Sequence, residues 1–410
     1  MRISVILMTF LLFAAMFVSP GRAEVTAVKA GKILTISGEP INNGIILIED
    51  GKIIEIGREI EVPEDANVID AGKSIVMPGF VDAGAPAPVR GDLNEQSSEI
   101  TPTLRISDAL DPQSKILKRI VQTGVTTLFV SPGRQNVIGG LGVVVKPSGK
   151  IPQQMIIKDE AALTVVMDME ATEGNRIPRR EPAINFYYRR PGTRMAIIWM
   201  LRKSFFDAQQ QTNSEPAEDP NLAILSEALK DGIPVHVHAR RAIVIRAALK
   251  VADEYGLKLI FQECTEGYKV AEKLAERKIP VVLGPFYYYP GNMGQYREGR
   301  KVNWNNAGIL AEAGVKVALS SGGQSGAIDI LTAAAFAVRH GMNSDEALRA
   351  ITITPAEILG VADRVGSLEE GKDADIIVLS GDPLDVTTRI EKVILNGKTV
   401  VRAVREPPLL

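Results

Sequence analysis

From Gly232 to His340 the chain repeats one unit, a short apolar run closed by glycine or polar residues and followed by a stretch of helical spacing. Val235-His236-Val237-His238-Ala239 leads into a helical segment from Arg240 to Glu254, which stops at Tyr255-Gly256. Leu257 to Glu263 is the next apolar run, and the helix after it begins at Cys264-Thr265-Glu266 and reaches Arg277. Pro280 to Pro285 and Val315 to Ser320 repeat the strand, while Trp304 to Ala313 and Ile328 to His340 repeat the helix. Strands spaced by helices pair in parallel, because a parallel neighbour needs a crossover longer than a hairpin turn. The same rhythm starts near residue 105, with helical Lys115 to Gln122 and the strand Gly124 to Val130, which ends at Ser131-Pro132-Gly133. Eight such units close into a (β/α)8 barrel of the TIM type. The expected fold class is therefore α/β.

Both ends of the chain read differently. Ala30 to Ile36 is a strand, and Gly44 to Gly57 is a pair of strands around Asp50-Gly51, a strong hairpin signal. Near the C-terminus, Ile376 to Leu379 is followed by the turn Gly381-Asp382-Pro383-Leu384, and the run Ile390 to Val400 closes the β-rich end. Both ends are therefore β-rich and lie outside the strand-helix rhythm of the middle. Gly139-Gly140-Leu141-Gly142 reads as a tight turn, and its glycines lack a phosphate-loop pattern. Arg176, Arg179, Arg180, Arg189, Arg190 and Arg194 cluster in the irregular segment 176–194, which reads as a solvated loop or as a basic cover over the barrel mouth.

Residues 1–23 read as a secretory signal peptide. Arg2 supplies a positive start, the apolar run Ile3 to Val18 is shorter than the ~20 residues a membrane span needs, and Ser19 to Ala23 are small residues around a break. The mature protein is expected to be exported, to the periplasm in a Gram-negative source, with no stable membrane span. The net charge of −2 gives no global field for nucleic acid, and one cysteine, Cys264, allows no internal disulfide. The chain of 410 residues holds only three histidines, His236, His238 and His340. His340, at a helix end beside Gly341, reads as a capping or surface residue.

The stretch Pro78-Gly79-Phe80-Val81-Asp82-Ala83-Gly84-Ala85-Pro86 marks where the β-rich start gives way to the barrel. It resembles the P-G-x-x-D-x-H-x-H opening of the amidohydrolase superfamily, and the run Val365 to Leu379 with Ile390 to Val400 resembles that superfamily's C-terminal signature, particularly its imidazolonepropionase-like branch. The resemblance spans residues 26–402 and implies a small β-sandwich domain made from residues 24–77 and 360–405 beside the barrel in residues 78–359. It implies a metal-dependent hydrolase of non-peptide C–N bonds, acting on cyclic amides or dipeptide-like substrates. The implied ligands are the first-strand histidine pair, one histidine each on the fifth and sixth strands, and an aspartate on the eighth.

Set on this sequence, the first pair falls on Gly84 and Pro86 and the eighth-strand aspartate on Gly322, none of which has a metal-donating side chain. His238 takes the fifth-strand position, and Glu263 the sixth, or Cys264 if the register moves by one. A catalytic metal needs about three protein ligands. The expectation is a catalytically degenerate member with no cofactor and a residual pocket of His236, His238, Glu263 and Cys264. The alternative is a relocated zinc or other divalent site at His236, His238 and Glu263; without metal, His238 and Glu263 would form a buried ion pair. Possible partners are a small-molecule ligand, a second copy of the chain, or an active amidohydrolase in a hetero-oligomer.

Overall fold

A computed structural model describes residues 24–172, 190–211, 219–230, 232–284, 302–322 and 329–402. Residues 1–23, expected to be a signal peptide, and most of the arginine-rich segment 176–194 lie outside the described residues.

The chain ends build one continuous eight-stranded sheet. Strands β1 (Thr26–Ile33), β2 (Ile41–Glu49) and β3 (Lys52–Gly57) form an antiparallel meander. β4 (Asn67–Asp70) and β5 (Ile75–Pro78) pair in parallel with successive parts of β1. β5 then joins the C-terminal strands β14 (Ile376–Leu379), β15 (Ile390–Leu395) and β16 (Lys398–Arg402). Side chains alternate across a strand, and β14 uses both faces. Ile376 and Val378 join Val28, Ile46 and Ile53 in the core of the small sheet, while Ile377 and Leu379 join the main core around the barrel. The sheet from the two ends is thereby fixed to the barrel. Lys146 adds a buried ionic link, pairing with Asp373 at 2.7 Å and Asp375 at 2.8 Å.

The second sheet holds the eight barrel strands in sequence order. They are β6 (Phe80–Asp82), β7 (Val125–Val130), β8 (Ile138–Val145), β9 (Ile156–Val166), β10 (Val235–Ala239), β11 (Leu259–Glu263), β12 (Val281–Leu283) and β13 (Val317–Leu319). Seven run in parallel, as the strand-helix rhythm predicts. The exception is β8, antiparallel to both neighbours. This corrects the reading of Gly139 to Gly142 as a turn. These glycines lie inside a fully buried strand, where a Cβ on Gly140 would strike the Leu104 carbonyl and one on Gly142 the Phe129 ring. Close backbone approach requires glycine here.

No ladder joins β13 to β6. The seam is bridged instead by Ala350 and Ile351, whose carbonyls accept from Leu319 N at 2.8 Å and Val81 N at 2.9 Å. At its other end, the Asp82 carboxylate accepts from the Ser321 hydroxyl. Val81, Phe129, Ile260, Val282 and Ala318 fill the lower barrel interior, with Ala356 and Leu359 of the helix Ile353–Leu359 packed against them. This apolar plug leaves the C-terminal ends of the strands as the place where polar side chains can gather.

Candidate functional site

His236 and His238 stand two apart on β10, so both rings project to the same side of the strand. Their centroids are 6.5 Å apart, and His236 meets the Phe129 ring edge-on at 4.7 Å. Both are buried, and none of their four ring nitrogens has a hydrogen-bond partner among the described residues. Burial lowers the His236 pKa to about 3. Burial, then the charges of Arg134, His236 and Arg240, hold His238 well below the ordinary histidine value. Both imidazoles are neutral near pH 7, so each offers one N–H donor and one acceptor. Gln262 on β11 pairs in register with His238, and its Oε1 is buried without a hydrogen-bond partner.

Glu263 ends β11 with φ 70°, and Cys264 follows at 44°, both left-handed. The kink aims Glu263 at two guanidiniums, those of Arg134 and Arg240. Arg134 follows β7, and Arg240 follows Ala239 directly. Arg240 also pairs with Glu170 at 2.9 Å and lies 3.9 Å from Asp168; its backbone N–H donates to the Asp168 carboxylate at 3.0 Å. Asp168 and Glu170 lie just beyond β9. Burial opposes the charge on Arg240, but Glu263, Glu170 and Asp168 outweigh it and hold that pKa well above its usual value. The ends of β7, β9, β10 and β11 thus supply one buried network of two guanidiniums and three carboxylates.

The expected His238–Glu263 ion pair is therefore corrected: the arginines take the carboxylate and the imidazole stays neutral. The side chains of Arg134 and Arg240, which are 14% and 12% exposed, bring positive charge beside His238. Cys264 is buried in the packed core beyond the strand, and burial pushes its thiol well up. Its left-handed backbone turns it out of line with the strand side chains, so the structure does not join it to His238. His340 caps the helix Ile330–Arg339 and packs against Phe336 at 4.4 Å and Trp304 at 5.3 Å.

Across the barrel, Gly84 lies against Gln262 and Ser320; a Cβ there would collide with Gln262 Nε2 and Ser320 Oγ. The space of a first-strand histidine is thus already occupied. Pro86 is buried, and Gly322 donates its backbone N–H to Ser320 Oγ at 3.1 Å. Asp82 accepts from Gly84 N at 3.0 Å as well as from Ser321, while burial raises its pKa.

These residues do not fit a divalent ion. Gly84, Pro86 and Gly322 offer no donor side chain, Glu263 is held by two cations, and no group of three or more His, Cys, Asp or Glu among the described residues could hold a metal. The relocated set His236, His238 and Glu263 does not assemble, because Glu263 is engaged by the arginines. Sequence reasoning did not single out Arg134, Asp168, Glu170 or Arg240. The available signal was their position, just past the C-terminal ends of barrel strands, where sites of this fold are built.

The description "Amidohydrolase family" matches residues 216–400. A solved amidohydrolase from Thermotoga maritima is 30% identical, with a TM-score of 0.82 over 92% of this chain and 100% of that one. This chain belongs to the amidohydrolase family. Its curated relatives include the imidazolonepropionases of Thermoplasma acidophilum, 26% identical over 84% of each chain, and of Symbiobacterium thermophilum, 26% identical over 87% of this chain and 91% of the relative. The amidohydrolase tasK of Hapsidospora irregularis is also 26% identical, over 86% of this chain, which spans 39% of that longer protein. These similarities place the chain on the imidazolonepropionase-like side of the family.

Proposed function

We propose that this amidohydrolase-family protein does not hydrolyse through a metal-bound hydroxide, and that it binds a small, uncharged polar molecule at the mouth of its barrel. The observation that carries this reading is the Arg134–Glu263–Arg240 network beside neutral, unpartnered His238. Buried polar atoms are nearly always hydrogen-bonded in folded proteins. The ring nitrogens of His236 and His238 and the Gln262 Oε1 therefore call for water or a ligand. Neutral imidazoles suit a ligand with its own donor and acceptor, and a cyclic amide has both. The names of the imidazolonepropionase relatives support that class. The apolar leader at residues 3–18 supports action after export.

The test is elemental analysis of the purified chain after incubation with zinc and desalting, paired with calorimetric titration of cyclic amides. The expected result is no zinc above the buffer blank, and saturable amide binding that His238→Ala removes while the circular dichroism spectrum is unchanged. Near-stoichiometric zinc, lost in His238→Ala together with turnover of a cyclic amide, would overturn the proposal.

A further inference from the structure

At the opposite end of the barrel a cleft of about 900 Å³ opens beneath the first residues of β9 to β13. That volume falls in the ~300–1,000 Å³ range of small-molecule sites. Five cationic side chains line it, Lys158, Lys258, Arg277, Lys278 and Lys316, against the carboxylates of Asp253 and Glu357. Both carboxylates are already taken, Asp253 by Arg277 at 2.6 Å and Glu357 by Lys316 at 2.6 Å. Lys158, Lys258 and Lys278 thus leave the cleft with excess positive charge.

Lys158 is the anchored member. Its ammonium donates to the Leu359 carbonyl at 2.8 Å, at the C-terminal end of the helix Ile353–Leu359, which positions the charge at the cleft wall. Burial lowers its pKa and the neighbouring Lys258 lowers it further, while Asp363 opposes them in part. Two lysines that repel each other are stabilised together by an anion between them.

We propose that this cleft binds a small, multiply charged oxyanion, such as a diphosphate or polycarboxylate, at a site separate from the barrel mouth. A concave surface with an excess of one sign of charge concentrates counter-ions. Three lysines that form no ion pair among the described residues match a di- or trianion better than a monoanion. The site does not depend on His238 or the arginine network, so it stands or falls separately from the reading of the mouth.

The experiment is calorimetric titration of the full chain with inorganic pyrophosphate and, separately, with citrate. Saturable binding of one ion per chain is expected for at least one of them. The variant Lys158→Gln/Lys258→Ala should weaken it at least about tenfold, since two charge-assisted contacts are lost. A charge-matched control, Lys29→Ala/Lys118→Ala, changes exposed lysines that do not line the cleft and should leave the affinity within about twofold. Because Lys158 also holds the Leu359 carbonyl, the exposed pair Lys258→Ala/Lys278→Ala provides a second variant that leaves that contact intact, with the same loss expected. No saturable binding of either probe, equal loss in the control, or full affinity in both cleft variants would overturn the proposal.

Discussion

Arg240→Met is the most direct test of the network at the barrel mouth. The substitution keeps much of the side-chain volume and removes the charge shared by Glu263, Glu170 and Asp168. Among the described residues Glu263 then keeps the ion pair with Arg134, while Asp168 and Glu170 lose the guanidinium that faced them. Removing one partner of a buried ion pair costs about 3–5 kcal/mol, because the remaining charge stays buried without compensation. The Lys203–Asp207 pair on the exposed face of the helix Arg194–Gln211 is an internal comparison, and breaking such an i,i+4 pair costs about 0.3–0.5 kcal/mol. Urea unfolding followed by circular dichroism should show the roughly tenfold contrast in ΔΔG between Arg240→Met and Lys203→Met. A cost below about 1 kcal/mol for Arg240→Met would refute the claim that this residue compensates buried carboxylates.

Three further outcomes follow from the same geometry. Gly84→His should not restore zinc binding and should lose about 1–3 kcal/mol in urea unfolding, because its Cβ strikes Gln262 and Ser320 and a filled core resists added volume. His236 and His238 have folded pKa values below their unfolded ones, so their contribution to stability is full above about pH 6.5 and is lost as pH falls toward about 3 for His236. Their ring proton shifts in NMR should stay flat between about pH 5 and 8, and a mid-range titration of either would contradict the burial argument. Cys264 should react with Ellman's reagent only as fast as the barrel opens, since its thiol is buried and its pKa is raised; fast labelling of the folded protein would show that it is accessible.

The sequence by itself determined the architecture to a large extent. Regular alternation of apolar runs with helical spacing is a local signal, and it placed β7 and β10 to β13 with their crossover helices. Asp50-Gly51 marks a hairpin because its turn uses left-handed backbone, which Asp and Gly adopt most readily. The absence of donor side chains at Gly84, Pro86 and Gly322 is likewise a property of residue identity, legible without coordinates. The reversed direction of β8 was not legible, because a buried strand has the same apolar composition whichever way it runs, and its glycines look like a turn until the Leu104 carbonyl and Phe129 ring are seen against them. The charge network was decided only by tertiary structure. Arg134, Asp168, Arg240 and Glu263 are far apart in sequence, and neighbouring strand ends bring them together. The left-handed turn at Glu263 and Cys264 then sends the carboxylate to the arginines instead of to His238. Sequence patterns report local periodicity and side-chain chemistry, whereas the partner of a buried charge depends on the closure of the whole sheet.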